Sequence, residues 1–431
     1  MQLPGMFLTR QIFPRPVVRD IPLRIRRELK RIGFNERIGS GDSIAITVGS
    51  RGIANMPLIL KSLVAELKSI GAHPFILPAM GSHGGATAEG QKAVLEDYGI
   101  TERSIGVPIR SSMDVLKVGH LPDGSPVYLD KLAAEADGIV VLNRIKPHTD
   151  FVGRIGSGLM KMMAIGLGKK RGAELYHRLF FKHGFEKTIR WAAREVLRRC
   201  KVKFGIGIIE NAYEETADIV ALPPEEIEEG EEKLFAKAKE LSGRLPFEDL
   251  DVLIVDKMGK DISGTGMDTN VIGRMMQNFE PEPEKPDILR IVVLDLTDRS
   301  HGNAVGMGLA DFTTARLVSK IDRKATYTNS ITSLGPQKSR IPLYLDTDRE
   351  AIEAAFATVG IREPKECRAV HIRSTLHLHL IEISESLLEE AEEREDLEII
   401  SGPEPLRFDE GGNLISRLAM LDVESHGDLR G

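Results

Sequence analysis

The sequence predicts an α/β protein with two domains, each built on a mostly parallel sheet flanked by helices. The chain has 431 residues, whereas a single hydrophobic core stops growing at roughly 250–300 residues. Short apolar runs rich in β-branched residues alternate with segments of helical spacing, which is typical of parallel sheets covered by helices. An acidic, proline-containing stretch over residues 223–233 and the segment Ser242-Gly243-Arg244-Leu245-Pro246 separate two blocks of such runs. Together these observations favour two α/β domains.

The first block contains predicted strands at 43–48, 74–78 and 138–142 and predicted helices at 58–70 and 88–98. The strands are apolar runs that end in turn residues, and the helices carry apolar residues at helical spacing. The loops that hold Arg51, His83 and His148 each follow one of these strands directly. Because ligands of parallel α/β sheets bind at the carboxyl ends of the strands, we expect the three loops to share one rim.

The second block opens with predicted strands at 251–256 and 288–295. We place the domain boundary near residue 246, so that residues 1–246 form one domain and residues 247–390 the next. A charged helix is expected over 385–398 and a short strand pair over 406–420. Residues 391–431 are expected to form a C-terminal segment that returns to the first domain. The cleft between the domains is the expected active site.

The composition excludes several classes of protein. With 42% hydrophobic and 28% charged residues and a net charge of -6, the chain is expected to bind neither nucleic acid nor anionic membranes, and a small molecule is the expected partner. Cys200 and Cys367 are the only cysteines, so neither a disulfide framework nor a cysteine zinc site is expected. No targeting segment and no apolar run near the roughly 20 residues of a membrane span is visible, which makes the cytoplasm the default location.

One stretch concentrates imidazole and amine chemistry. Residues 143–151 include His148, residues 156–162 form a glycine-containing turn that leads to Lys161, and His177 follows further along. The apolar neighbours of Lys161 are expected to lower its pKa by desolvation and to favour covalent chemistry, although a helix lysine that extends its amine to solvent is the ordinary alternative. This density of chemistry predicts an active site.

Histidines on two of the rim loops suggest a type of reaction. His83 lies between glycines that let a ligand approach, and it exchanges protons near neutral pH. Two histidines, His83 and His148, on opposite faces of a substrate would suit a racemase or an epimerase. Arg51, beside glycines at a strand end, could hold a carboxylate or phosphate, with an exposed surface arginine as the alternative.

The remaining histidines give weaker signals. His177 lies in a predicted helix, but one imidazole does not make a metal site, since zinc takes about three or four protein ligands. His371, His377 and His379 lie in a run whose alternation predicts a strand with the histidines on one face. We interpret these three as structural, because glycine-rich surroundings are absent.

Taken in order, these residues resemble a known family. The motifs are Ser50-Arg51, Gly81-Ser82-His83, Pro147-His148, Gly156-Ser157-Gly158, Lys161 and His177. They resemble the lactate racemase family that depends on a nickel-pincer nucleotide, pyridinium-3,5-bisthiocarboxylic acid mononucleotide nickel, covalently tethered to the protein.

The resemblance implies a role for each residue. Lys161 would carry the tether, Ser157 and Gly158 would contribute to cofactor binding, and His177 would be the one protein ligand of nickel. His83 and His148 would be the paired acid/base residues, and Arg51 would orient the substrate carboxylate. The first domain would then hold the cofactor and the catalytic residues, and the second would supply the substrate side of the cleft.

The resemblance also implies a mechanism. One histidine would take the hydroxyl proton, and the cofactor would supply a reversible acceptor for hydride from the hydroxyl-bearing carbon, so that a 2-oxo acid could be reduced on either face. Hydride transfer avoids deprotonation of a weakly acidic carbon next to a carboxylate. Enzymes of cofactor biosynthesis would be partners for loading.

The second block departs from the lactate pattern. Residues 264–270 are followed by Val271-Ile272-Gly273-Arg274, without the tyrosine, glutamine and lysine usual in the family. Arg274 could replace the charge of that lysine, and Lys338 lies in a further basic loop. Both are predicted to bind substrate, and we expect a divergent member whose substrate is a 2-hydroxy acid other than lactate, with sugar acids among the candidates.

Two alternatives to the racemase remain open. Lys161 could form an imine with a carbonyl substrate in a lyase or hydrolase. The chain could also be a non-catalytic protein that binds a nucleotide or a metal.

Overall fold

The computed structural model describes residues 1–421, which divide into two compact units. The first unit is Arg15–Ser242, and the second combines Met1–Pro14 with the described residues from Gly243 onward. Each is taken separately below. In residues 1–421, every helix is too short or too polar to cross a bilayer.

The strands and helices follow in chain order. The strands are β1 (Gly5–Gln11), β2 (Ser43–Val48), β3 (His73–Pro78), β4 (Val115–His120), β5 (Pro126–Asp130), β6 (Gly138–Arg144), β7 (Val202–Glu210), β8 (Thr216–Leu222), β9 (Asp249–Met258), β10 (Asp287–Leu296), β11 (Phe312–Thr314), β12 (Leu343–Leu345), β13 (Ala369–Ile372), β14 (Leu380–Ser384) and β15 (Leu397–Pro405). The α-helices are α1 (Ile21–Arg31), α2 (Phe34–Arg37), α3 (Met56–Ser69), α4 (Ala88–Asp97), α5 (Glu102–Ile105), α6 (Lys131–Glu135), α7 (Leu159–Lys161), α8 (Lys169–His183), α9 (Phe185–Arg199), α10 (Ile227–Leu241), α11 (Thr269–Ile272), α12 (Ala315–Ser319), α13 (Arg323–Thr332), α14 (Asp348–Ala357) and α15 (Leu388–Glu392).

The first unit has a five-stranded sheet in the order β3-β2-β6-β7-β8. All of its pairings are parallel except that of β7 with β8. Ile46 at the centre of β2 is level with Ile76 and Val140 on the neighbouring strands. The carboxyl ends of β2, β3 and β6 therefore lie at one edge, and the prediction that their loops share a rim is confirmed.

The second unit has an eight-stranded sheet in the order β12-β11-β10-β9-β13-β14-β1-β15. The strands from β12 to β13 are parallel, and the remaining pairings are antiparallel. The predicted α/β class is confirmed in both units. Residues 1–246 were expected to form one domain, but Met1–Pro14 belongs with the second unit because β1 pairs with both β14 and β15.

The C-terminal segment differs from its prediction. Residues 391–431 were expected to return to the first domain, yet β15 pairs with β1 inside the second unit. The helix expected over 385–398 is only α15 with a preceding 3-10 turn, and the strand pair expected over 406–420 is reduced to one bridge between Phe408 and Leu414. Residues 422–431 lie outside the described residues.

The strand predicted to carry three histidines is interrupted. Only His371 lies on β13, and the chain turns back after Ile372 before β14 pairs antiparallel with the same strand. His377 instead bonds Ser374 Oγ at 2.8 Å through Nδ1, within that reversal. The prediction that these histidines share a strand face is wrong because the segment forms a hairpin.

His371 is the centre of a buried charge cluster in the second unit. Its side chain is fully buried between Glu382, 2.5 Å from Nδ1, and Asp256, 2.6 Å from Nε2. Ser416 and Arg417 bond the outer oxygens of these carboxylates. Although burial opposes the charge, Asp256 and Glu382 together raise the pKa of His371 to about 10.

We predict that this cluster makes the second unit less stable at alkaline pH. The folded pKa of His371 lies above its ordinary value of 6.5, so the stabilisation is complete below pH 6.5 and is lost as the pH rises towards about 10. His371→Gln should cost about 3–5 kcal/mol at neutral pH, since two buried carboxylates lose their cation. Amide hydrogen exchange of β13 against pH tests this, with exposed His73→Gln as the control. Equal exchange in wild-type and His371→Gln protein would contradict it.

Candidate functional site

The candidate site is built on the segment that follows β6. The backbones of Lys146 and Ser157 exchange two hydrogen bonds of 2.9 Å, which closes the loop between them. Gly158 then begins α7, which runs into a single π turn at Met162–Gly166 before α8. Such π turns occur often at functional sites. The arrangement presents Lys161 and His148 from two ends of one closed loop.

Lys161 and His148 are in direct contact. The amine Nζ of Lys161 lies 2.5 Å from Nε2 of His148 and 3.5 Å from the hydroxyl of Ser157. The backbone N–H of Asp150 donates to Nδ1 of His148 at 3.0 Å. Nδ1 is therefore the acceptor, and the neutral ring carries its proton on Nε2, which faces the Lys161 amine. This geometry favours the uncharged form of the amine.

Burial and nearby charges also favour the uncharged form of the Lys161 amine. Burial lowers the pKa of Lys161 to about 8, and the charges of Arg51 and Lys146 lower it further against the opposing effect of Asp150. An amine with this pKa has an appreciable nucleophilic fraction near neutral pH. Burial of the amine agrees with the expected desolvation of Lys161, while its role in covalent chemistry stays a prediction.

A row of phenylalanines extends from His148 to His177. His148 stacks on Phe151 with ring centroids 4.7 Å apart, and Phe151 stacks on Phe185 at 5.4 Å. Phe185 stacks on Phe180 at 4.1 Å, and Phe180 meets the His177 ring edge-on at 5.3 Å. The aromatic rings fix the orientation of both imidazoles and keep their surroundings apolar.

His177 has a buried ring nitrogen, Nδ1, that makes no hydrogen bond of normal geometry within residues 1–421. It lies on α8, and its Nδ1 is buried without a hydrogen bond. Burial lowers the pKa of His177 to about 4, and the charge of Lys161 contributes. The ring is thus neutral, as a metal ligand must be. Within residues 1–421, no group of three or more His, Cys, Asp or Glu side chains is arranged to hold a metal ion.

His83 is oriented by the neighbouring loop. Its Nδ1 hydrogen-bonds the hydroxyl of Ser50, which follows β2, and the carbonyl of Ser50 accepts from Tyr98 at 3.3 Å. The His83 side chain is exposed. Gly84 has a φ of 64°, and a Cβ there would lie 2.7 Å from the backbone nitrogen of Gln91, so this turn requires glycine.

A carboxyl group that the sequence does not indicate lies beneath the Lys161 turn. Glu231 of α10 is fully buried, and its Oε2 accepts from the backbone N–H of Met160 at 2.7 Å. Burial raises the pKa of Glu231 to about 8. A Cβ at Gly158 would lie 2.1 Å from Oε1 of Glu231, which explains the glycine. Glu231 belongs to an acidic stretch that is typical of a solvated helix face, so the sequence carried no signal for this contact.

The two predicted substrate residues of the second unit have internal partners. Arg274 forms an ion pair with Asp311 at 2.9 Å and donates to the carbonyls of Leu309 and Ile288. Lys338 is 2% exposed, and its amine donates to Gln277 Oε1 at 2.7 Å. These contacts hold loops within the unit. Substrate binding by Arg274 and Lys338 stays a prediction.

We predict that Lys161 is acylated at a lower pH than exposed lysines of the same protein. With a pKa of about 8, its rate of reaction with an amine-selective acetylating ester should reach half its maximum near pH 8. Peptide mass spectrometry over a pH series measures the rate, with exposed Lys170 as the internal reference. A half-maximal rate of Lys161 at the same pH as that of Lys170 would contradict the uncharged amine.

Part of the chain is similar to proteins of known family. Residues 24–188 match the family model described as the lactate racemase N-terminal domain. Over 94 residues the chain is 36% identical to the lactate racemase of Thermoanaerobacterium thermosaccharolyticum. The matched segment covers 22% of this chain and 22% of that relative. The structure of the lactate racemase apoprotein from the same organism matches with a TM-score of 0.44 and 17% identity, over 65% of this chain and 68% of that chain.

The family match contains the site residues of the first unit that the sequence predicted, but not Glu231. Arg51, His83, His148, Lys161 and His177 all lie within its bounds. Residues 24–188 are therefore similar to the lactate racemase N-terminal domain, and this segment makes up less than half of the chain.

Proposed function

We propose that the chain is a racemase or epimerase of a 2-hydroxy acid that works with a tethered nickel-pincer nucleotide. One observation carries the proposal: the Lys161 amine, whose pKa is lowered to about 8 and which contacts His148, is near enough to His177 to act on its pKa, and His177 Nδ1 is buried without a hydrogen bond in the described residues. A nucleophilic amine and a lone neutral imidazole are the two protein groups that such a cofactor needs.

The residues present fit the cofactor. The Lys161 amine would carry the covalent link. His177 would coordinate nickel through its buried Nδ1, or through Nε2 if the ring rotates. Ser157, whose hydroxyl is 3.5 Å from the amine, and Gly158 would line the attachment point. When bound, the cofactor supplies a reversible hydride acceptor.

The chain's own residues would manage the proton. Ser50 holds the His83 ring through Nδ1, so we assign proton exchange with the substrate hydroxyl to Nε2. Asp150 holds the His148 ring in the same way, again through Nδ1. Once the Lys161 nitrogen is acylated, it loses the basic lone pair that His148 Nε2–H donates to. His148 would then turn its proton to the substrate.

Positive charge around the site favours an acid substrate. Arg51 and Lys146 both act on Lys161, and Arg144 forms a salt bridge with Glu210, which also accepts from the backbone of Ala54 at 2.6 Å. Arg51 is the group that we assign to the substrate carboxylate, because a guanidinium binds it through two parallel hydrogen bonds. Sugar acids remain the proposed class.

A second candidate function rests on the same amine. An uncharged Lys161 is also suited to imine formation with a carbonyl substrate, as in a lyase. Borohydride would then trap substrate on Lys161 in protein that contains no nickel. The racemase predicts no such adduct.

Loading of the cofactor tests the proposal directly. Co-expression with a pincer-nucleotide biosynthetic system should give a mass adduct on the Lys161 peptide and racemisation of at least one member of a panel of 2-hydroxy acids. The Lys161→Ala variant should give neither, whereas Lys170→Ala should behave as wild type. Adduct formation without turnover on the whole panel would instead favour a non-catalytic binding protein.

Removal of either histidine should abolish racemisation. We expect His83→Asn and His148→Asn each to lower kcat by about 10²–10⁴-fold, the usual contribution of an acid/base group. The measurement is chiral chromatography of products from protein whose adduct content has been equalised by mass. Wild-type kcat in either loaded variant would refute the two-histidine scheme.

A further inference from the structure

We propose that Gln91 and Lys169 are positioning residues for His83, joined to Asp130 in a buried network that holds the glycine-rich loop over residues 81–86. The proposal rests on the proposed function, since that function makes His83 an acid/base group.

Lys169 is the centre of the network. Its side chain is fully buried and forms an ion pair with Asp130 at 3.0 Å, and Asp130 is also fully buried. The amine also donates to the carbonyl of Pro78 and to Oε1 of Gln91, the latter at 3.0 Å. Pro78 is the last residue of β3. Lys169 thus joins the end of the strand that leads to His83 with the first turn of α8.

Gln91 links Lys169 to the backbone of the loop. Because its Oε1 accepts from Lys169, its Nε2 must face the other way, where it donates to the carbonyls of Gly81 at 3.0 Å and His83 at 3.3 Å. The side chain is fully buried. The carboxamide therefore binds the backbone of His83 itself.

The loop needs such support. Four of its residues have a positive φ: Gly81, Gly84, Gly85 and Ala86. For Ala86, with a φ of 56°, this conformation is strained. Lys169 itself has a φ of 52°. A strained loop persists only where its surroundings hold it, and Gln91 supplies two of the donors.

Asp130 fixes the opposite end of the network. Its Oδ1 accepts from the backbone N–H groups of Leu132 and Ala133 at the start of α6, and its own N–H donates to the carbonyl of Leu167 at 2.7 Å. Leu167 lies between the Lys161 turn and α8. The network therefore connects the His83 loop with the segment that carries Lys161 and His177.

The energetics favour positioning over simple stabilisation. Burial of two opposite charges costs several kcal/mol per ion before their attraction is counted, and a well-packed apolar pair of equal volume is often as stable. An ion pair in a fully buried position is thus a poor stabiliser. The ion pair also orients Gln91 so that its Nε2 donates to two loop carbonyls, and an apolar pair could not do this.

The test compares Gln91→Met with wild type and with Lys170→Met, an exposed neighbour on α8. Met keeps the volume of Gln91 but removes both donors. In unloaded protein we expect the amides of residues 83–87 to exchange at least about tenfold faster in Gln91→Met, with unchanged exchange in β2 and β6. In loaded protein we expect an unchanged Lys161 adduct, a KM within about twofold, a kcat about tenfold lower and a displaced pH profile.

A second variant separates positioning from folding. The double substitution of Asp130→Asn with Lys169→Met removes both charges together, so it leaves neither ion unpaired, and it should give the same loop exchange as Gln91→Met. Wild-type loop exchange and a wild-type pH profile in Gln91→Met would overturn the proposal. Wild-type protein that loads but does not racemise would instead refute the proposed function, and with it the catalytic role of the loop.

Discussion

The contact between Lys161 and His148 is the constraint on which the site depends. A lysine amine 2.5 Å from a ring nitrogen that carries the proton of the neutral imidazole is favoured in its uncharged form. The protein reaches this state by desolvation and by nearby positive charge from Arg51 and Lys146, which together outweigh the attraction of Asp150. An uncharged amine in a neutral, apolar setting is a nucleophile, and this chemistry underlies both candidate functions.

Several parts of the surrounding structure hold Lys161 and His148 in place. Closely paired backbones at Lys146 and Ser157 close the loop, and Glu231 binds the turn from below. The phenylalanine row fixes the two imidazoles relative to their loops. The parallel order of β3, β2 and β6 places the loops of His83, Arg51 and His148 at one edge. All of these residues belong to the first unit.

The fold was predictable where local sequence decides structure. The run that forms β2 matches its predicted bounds, and β3 and β6 differ only at an end, because apolar β-branched runs between turn residues favour buried strands. Lys161, His148 and His177 were identifiable because they come from one continuous segment. Glu231, Gln91 and Lys169 were not, since their roles arise from contacts between distant elements. Lys169 reads as part of a basic run, and β1 pairs with strands nearly the whole chain away.

The central claim is that two protein groups, Lys161 and His177, hold the cofactor by different chemistry. The most direct measurement determines nickel content together with the mass of the Lys161 peptide in co-expressed wild-type protein, His177→Ala and Lys161→Ala. The account predicts that His177→Ala keeps the organic adduct on Lys161 but loses most of its nickel, while Lys161→Ala loses both. Full nickel content in His177→Ala, or an adduct on another lysine, would contradict it.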